Sequence, residues 1–132
     1  IRRASVILDE AKRYSSQGEW SLSLRRAQES VELALKGSLA WAGMDVPKVH
    51  DVGPLLRQNA AKFPSEFASA IRQMAAISRS LRAEREVSFY GDPESGIPPE
   101  ELYGEEDAAD ALRKAEFVLE RCKRLIGSPE VD

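Results

Sequence analysis

Trp20-Ser-Leu-Ser-Leu24-Arg-Arg-Ala27-Gln-Glu-Ser-Val31-Glu-Leu-Ala-Leu35-Lys-Gly-Ser-Leu39-Ala-Trp-Ala42 is the stretch that decides the fold. Its apolar residues Trp20, Leu24, Ala27, Val31, Leu35 (with Ala34), Leu39 and Ala42 recur at alternating steps of three and four, which gathers them on one face of an α-helix. The pattern predicts about six turns with one long buried face. Arg25, Arg26, Glu29 and Glu32 fill the opposite side. Glu29 can pair with Arg25 or Arg26 across one turn, so that side reads as ordinary solvated surface. Gly43 supplies the stop, and Met44-Asp45-Val46-Pro47 is loop. Gly37, in the interior, costs about 1 kcal/mol relative to alanine, which points to a close helix contact there.

The same spacing runs outward in both directions. Upstream, Ile1, Ala4, Leu8 and Ala11, widened by Ile7 and Tyr14, predict a helix from Ile1 to about Ser15. Ser15-Ser16-Gln17-Gly18 stops it, because Gly18 can take the left-handed conformation and the serines favour turns. Downstream, Asp51 is a natural N-cap and Pro54 falls in the first turn, so a short helix from Val52 to Ala61 follows. Ser65 then caps a helix whose core positions are Phe67, Ile71, Met74, Ile77 or Ser78, and Leu81. The last helix opens on Glu105-Glu106-Asp107, acid that suits the positive end of the helix dipole, though paired carboxylates can also hold a metal or move a proton. Ala108, Leu112, Ala115, Leu119, Cys122 and Ile126 carry its stripe, which makes Cys122 a core residue, and Gly127-Ser128-Pro129 ends it.

Arg79-Ser-Leu-Arg82-Ala-Glu-Arg85-Glu-Val-Ser-Phe-Tyr90-Gly91-Asp92 leaves this pattern. Arginines three residues apart lie roughly on one face, so Arg79, Arg82 and Arg85 form a short basic ridge ending near Phe89 and Tyr90. Cations there complement the helix C-terminus. They also suit a phosphate, whose oxygens match the planar fork of arginine. Gly91, Asp92, Pro93, Gly96, Pro98 and Pro99 argue against regular structure from Val87 to Gly104, a length at which a loop is usually functional or disordered. Phe89, Tyr90, Leu102 and Tyr103 would pin its ends.

Composition narrows the function classes. The 132 residues suit one domain over 1–132, and 19 Lys and Arg against 22 Asp and Glu give a net charge of −3. Bulk charge therefore draws no nucleic acid, and any anion site is local. One cysteine, Cys122, and one histidine, His50, exclude an internal disulfide and a zinc cluster. No metal and no cofactor is expected. His50 can be a ligand, a base or a capping and packing residue. No apolar run approaches the length of a membrane span and no secretory h-region opens the chain, so a cytoplasmic protein is expected. With no strand-length alternation, Gly-rich phosphate loop or internal repeat, the fold class is all-α: an up-and-down four-helix bundle with an additional short helix.

Three segments together resemble the HEPN family, the "higher eukaryotes and prokaryotes nucleotide-binding" domains. They are Arg26-Ala-Gln-Glu-Ser-Val-Glu32-Leu-Ala-Leu-Lys36-Gly-Ser-Leu; His50-Asp51-Val-Gly-Pro-Leu-Leu; and Phe89-Tyr90-Gly91-Asp92 through Ile97-Pro98-Pro99-Glu-Glu-Leu-Tyr103 to Ala108-Ala-Asp-Ala-Leu-Arg-Lys-Ala-Glu-Phe117-Val-Leu. The resemblance covers nearly the whole chain and is strongest to stand-alone prokaryotic, especially archaeal, members. It implies a helical bundle that forms a homodimer, often beside a small nucleotidyltransferase in a toxin-antitoxin pair. It also implies, for active members, a metal-independent ribonuclease whose motif is an arginine, four to six residues, then a histidine. Carried over, the arginine is Arg85 or Arg82, and Tyr90 stands where the histidine of Arg85 would stand.

Two functions follow as expectations. One is a non-catalytic dimer that binds a nucleotide or RNA through Arg79, Arg82, Arg85 and a stacking Tyr90, or that docks the nucleotidyltransferase, for which Tyr90 can be a modification site. The other is a divergent endoribonuclease using Arg85 with Tyr90 or His50. Against both stands a purely structural ridge. The polar side of the Trp20–Ala42 helix and the long loop are the candidate interfaces.

Overall fold

The computed structural model describes residues 1–46, 52–90 and 103–127, with 84–90 as backbone only. Helix α1 (Arg2–Ser16) buries Ala4, Leu8 and Ala11. The chain reverses at Gly18, where φ is 77° and only glycine is unstrained. The Glu19 amide closes the turn by donating to the Tyr14 carbonyl at 2.9 Å. Helix α2 (Trp20–Trp41) returns alongside α1 and ends before Gly43, again left-handed at φ 82°. The Ser23 hydroxyl donates to the Ala11 carbonyl at 2.8 Å, fastening the hairpin from inside.

Helix α3 (Gly53–Gln58) and a 3₁₀ turn (Ala60–Lys62) lead into α4 (Ser65–Tyr90), and α5 (Glu105–Ile126) completes the bundle. Helix directions follow from cross-links. Lys12 meets Glu116 at 2.6 Å, and Leu8 and Lys123 line the groove beyond them, so α1 and α5 are antiparallel. Glu66 meets Arg124 at 3.0 Å and Ser80 meets Lys114 at 3.5 Å, so α4 and α5 are antiparallel too. Thus α1 and α4 point one way, α2 and α5 the other. Phe63, at the entry to α4, stacks on Trp41 at 6.2 Å and packs on Phe67 at 4.8 Å, which fixes the start of α4 against the end of α2.

The core sits around α2, which packs against α1, α4 and α5. Leu24, Ala27, Val31, Ala34, Leu35 and Leu39 are buried on it, together with Ser21, Ser23, Gln28, Ser30 and Ser38. Two of these serines return their hydroxyls to their own helix: Ser30 to the Ala27 carbonyl and Ser38 to the Ala34 carbonyl. Hydroxyls satisfied in this way let small polar residues line a close interface without unpaired groups.

The bundle is all-α, and among the described residues there is no strand. Several sequence expectations shift. The α4 helix continues through Tyr90, so residues 87–90 are helical, not the start of the loop; uninterrupted i to i−4 bonding outweighs the weak helix propensity of Val87, Phe89 and Tyr90. The short helix is Gly53–Gln58 with Val52 at its cap, and its last stretch tightens to 3₁₀; Asp51 lies outside the described residues. Ser65 is the first helical residue of α4, with the Ala68 amide bonded to the Pro64 carbonyl at 2.9 Å. The face α5 buries is Ala108, Ala111, Ala115, Val118, Leu119, Cys122 and Leu125, leaving Leu112 and Ile126 half-buried. Ile126 covers Gly37: a Cβ there would meet its Cδ1 at 3.6 Å, ordinary contact, so packing does not demand the glycine. The start of α5 is tied by Asp107, whose carboxylate accepts the Gly104 amide at 2.9 Å, which settles the role of at least that acid as capping.

Candidate functional site

The arginines of α4 are not a flat ridge. Each step of three residues retreats by about 60° around a helix. Arg79 is exposed, Arg82 is half-buried, and position 85 continues the line Met74, Ser78, Leu81, all three buried. The row therefore winds from solvent toward the core side of α4. Tyr90, five residues beyond Arg85, falls about 140° around the helix from it, whereas Phe89 falls about 40° away. Arg85 and Tyr90 thus do not share a helix face. Their side chains, His50 and the 91–102 stretch lie outside the described residues.

On α2 the structure gathers groups that the spacing alone left as solvated surface. Arg26 behaves as expected: it meets Glu29 at 2.9 Å and also Glu10 of α1 at 3.4 Å. Burial alone would lower its pKa, but Glu29 and then Glu10 outweigh that and hold it above the ordinary arginine value. Glu32 is different. Its side chain is only 12% exposed, and its two oxygens take Lys36 Nζ at 2.9 Å and Gln28 Nε2 at 3.2 Å. Gln28 is itself 2% exposed, and its Oε1 is buried with no hydrogen-bond partner. A buried acceptor without a donor is uncommon. Residues four apart on a helix always adjoin, so the Gln28, Glu32, Lys36 ladder was visible as a spacing. Nothing in the spacing says that this edge of α2 is covered.

Cys122 is fully buried and takes no part in any such site. Its Sγ is 3.1 Å from Ser38 Oγ, which also lies 3.1 Å from the Ala34 carbonyl. One hydroxyl carries one hydrogen, which Ser38 offers to the Ala34 carbonyl or to the Cys122 sulfur as alternative acceptors. Burial pushes the thiol pKa from an ordinary 9.0 up to about 11, with Ser38 acting weakly against it. The native protein is expected to resist iodoacetamide at pH 8.5 and to react promptly once unfolded in guanidinium, as read by mass spectrometry. The folded state also keeps, between pH 9 and 11, a proton that the unfolded chain releases. The sign follows: this contribution is complete below pH 9 and is lost as pH rises through 11, by an order of 2–3 kcal/mol relative to Cys122→Ala.

Among the described residues no three His, Cys, Asp or Glu side chains gather as a metal site. No described helix is long and apolar enough to cross a membrane. The class defined so far is a helical bundle with an arginine row at the end of its longest helix and a half-hidden polar ladder on the helix beside it. The family model of the HEPN domain matches residues 1–125, and the chain belongs to that family. Neither the curated proteins nor the solved structures contain a match.

Proposed function

We propose that this HEPN domain is a non-catalytic module that binds the phosphates of a nucleotide or of single-stranded RNA at the C-terminal end of α4. It acts as a homodimer, as HEPN domains commonly do, alongside a small nucleotidyltransferase partner. Arg79, Arg82 and Arg85 supply guanidinium forks for phosphate oxygens, and Tyr90 supplies a ring on which a base stacks. The observation that carries the reading is the unbroken helix from Arg79 to Tyr90. It sets Tyr90 about 140° away from Arg85, so the two do not converge on one reacting phosphate within a helix face. A tyrosine hydroxyl, with a pKa near 10, is moreover a poor carrier of the 2′-hydroxyl proton at neutral pH.

The test is binding of ATP and of a short single-stranded RNA to the wild type and to Arg85→Ala across a salt series, with the RNA also run on a gel. Expected are salt-sensitive binding by the wild type, a loss of about tenfold or more in Arg85→Ala, and intact RNA. Sedimentation should give twice the 14.6 kDa chain mass. RNA cleavage by the wild type that Arg85→Ala abolishes would overturn the reading in favour of a metal-independent endoribonuclease, with Tyr90→Phe the next variant. Binding of neither ligand would sink the phosphate site and leave only docking of the nucleotidyltransferase.

A further inference from the structure

Across much of the bundle, surface cations have acids close by. Lys12 is met by Glu116, Arg26 by Glu29, Lys36 by Glu32 and Lys114 by Asp110. The outer face of α4 departs from this. Arg72, Ala76, Arg79 and Ala83 are all exposed and fall within about 60° of one another around the helix. The positions three and four residues from Arg72 are Ala68, Ser69, Ala75 and Ala76, and those around Arg79 are Ala75, Ala76, Arg82 and Ala83. None of these can form the ion pair that such spacing allows. From Phe67 to Ala83 the helix carries three arginines and no acid, in a chain whose net charge is −3. Among the described residues no acid meets Arg72 or Arg79.

The acids bordering this stretch are engaged or lie beyond its end. Glu66, before Arg72 on α4, is held by Arg124 of α5 at 3.0 Å. On the α5 flank, Lys114 reaches Ser80 at 3.5 Å, while Asp110 is taken by Lys114 at 2.9 Å and approached by Arg113 at 3.5 Å. Past Ala83 come Glu84 and Glu86, which end the cationic stretch. Arg79 belongs also to the winding row, so stretch and row join at that residue. Arg72 and Arg79 stand two turns apart, about 10.5 Å of helix rise. Between them Ala76 raises nothing above its β-carbon.

We propose that Arg72 is a further phosphate-binding residue, and that the outer face of α4 from Arg72 to Arg79 carries the backbone of a single-stranded RNA onward from the site at the helix's C-terminal end. The inference rests on the phosphate-binding reading above and narrows its ligand. A free nucleotide seated at Arg79, Arg82 and Arg85 leaves no phosphate for Arg72, whereas a strand lays successive phosphates along a basic surface. The occupant follows from charge. Exposed arginines with no acid alongside them fit a polyanion, and the flat alanine surface between them lets its backbone lie close.

Binding of a fluorescently labelled twelve-nucleotide single-stranded RNA is followed by anisotropy across a salt series, and ATP binding by calorimetry. The proteins are the wild type, Arg72→Ala, Arg72→Lys, Arg85→Ala and, as an exposed arginine on α1, Arg13→Ala. Alanine and lysine are helix formers comparable to arginine, so α4 stays intact, which circular dichroism checks, and sedimentation follows the oligomeric state. Arg72→Ala is expected to weaken RNA binding about fivefold and to reduce the slope of log affinity against log salt by about 0.7, the share of one phosphate contact on a single strand. ATP binding should be unchanged. Arg72→Lys should keep the wild-type slope, since the charge remains. Should Arg72→Ala bind RNA like Arg13→Ala while Arg85→Ala is weakened, the RNA track is wrong and the α4-end site stands. Equal losses of RNA and ATP in Arg72→Ala would also overturn the track and place Arg72 in a nucleotide site. A loss of RNA binding in an Arg72 variant that sediments differently from the wild type overturns it too, Arg72 then lying at a subunit contact. Should the wild type bind ATP and no RNA, the track falls alone; should it bind neither, the α4-end site falls and the track falls with it.

Discussion

Leu35→Ala is expected to remove about 3–4 kcal/mol of stability, read as a lowered urea midpoint at unchanged slope. Leu35 has no exposed surface and lies in the long apolar stripe of α2, the helix that α1, α4 and α5 all pack against. Truncation removes transfer free energy and leaves a cavity that three partner helices cannot all close at once. Against a total of roughly 5–15 kcal/mol for a domain of this kind, the loss is a large fraction. Leu35→Met, which conserves volume, should cost under about 1.5 kcal/mol. If the alanine variant lost less than about 1 kcal/mol, α2 would not be the helix on which the bundle closes.

Glu32→Ala is expected to cost about 2 kcal/mol, far more than an exposed glutamate would. Its carboxylate holds Lys36, whose side chain is 25% exposed, and the amide of Gln28, which is buried. Without it, Lys36 is left as a partly covered charge and Gln28 loses its one donor contact while its Oε1 remains unsatisfied. A double-mutant cycle with Lys36→Ala should show a coupling of about 1 kcal/mol, because the second truncation removes the stranded charge. A cost under about 0.5 kcal/mol for Glu32→Ala would return this edge of α2 to ordinary surface.

That edge marks where reading the sequence stops. The apolar stripes of α1, α2 and α4 are legible because burial must repeat with the period of the helix, and Leu8, Leu24, Leu35, Met74 and Leu81 are buried as their spacing requires. Gly18 and Gly43 are legible because few other residues tolerate a positive φ. Glu32 was not, since a charged residue between two possible partners looks the same whether a neighbouring helix covers it or water does. The end of α4 was misread for a different reason. Val87, Phe89 and Tyr90 have weak helix propensity, and the glycine and prolines from Gly91 onward drew the loop forward by one turn. The candidate site suffered most from that error. A flat row of arginines and a winding one have the same sequence, and only the continuous backbone places position 85 in line with Met74, Ser78 and Leu81.

The contact between Ser38 and Cys122 joins residues 84 positions apart. During synthesis, α1 and α2 emerge before α3, α4 and α5 and can close their hairpin through Ser23 and Ala11 while those helices are still being made. The part of α2 around Ser38, which α5 covers through Cys122, stays bare until α5, the last of the described helices, leaves the ribosome. Between the emergence of α2 and that of α5 this apolar stripe is thus half-clothed, and a nascent chain stalled before Glu105 presents it to chaperones, proteases or another copy of itself.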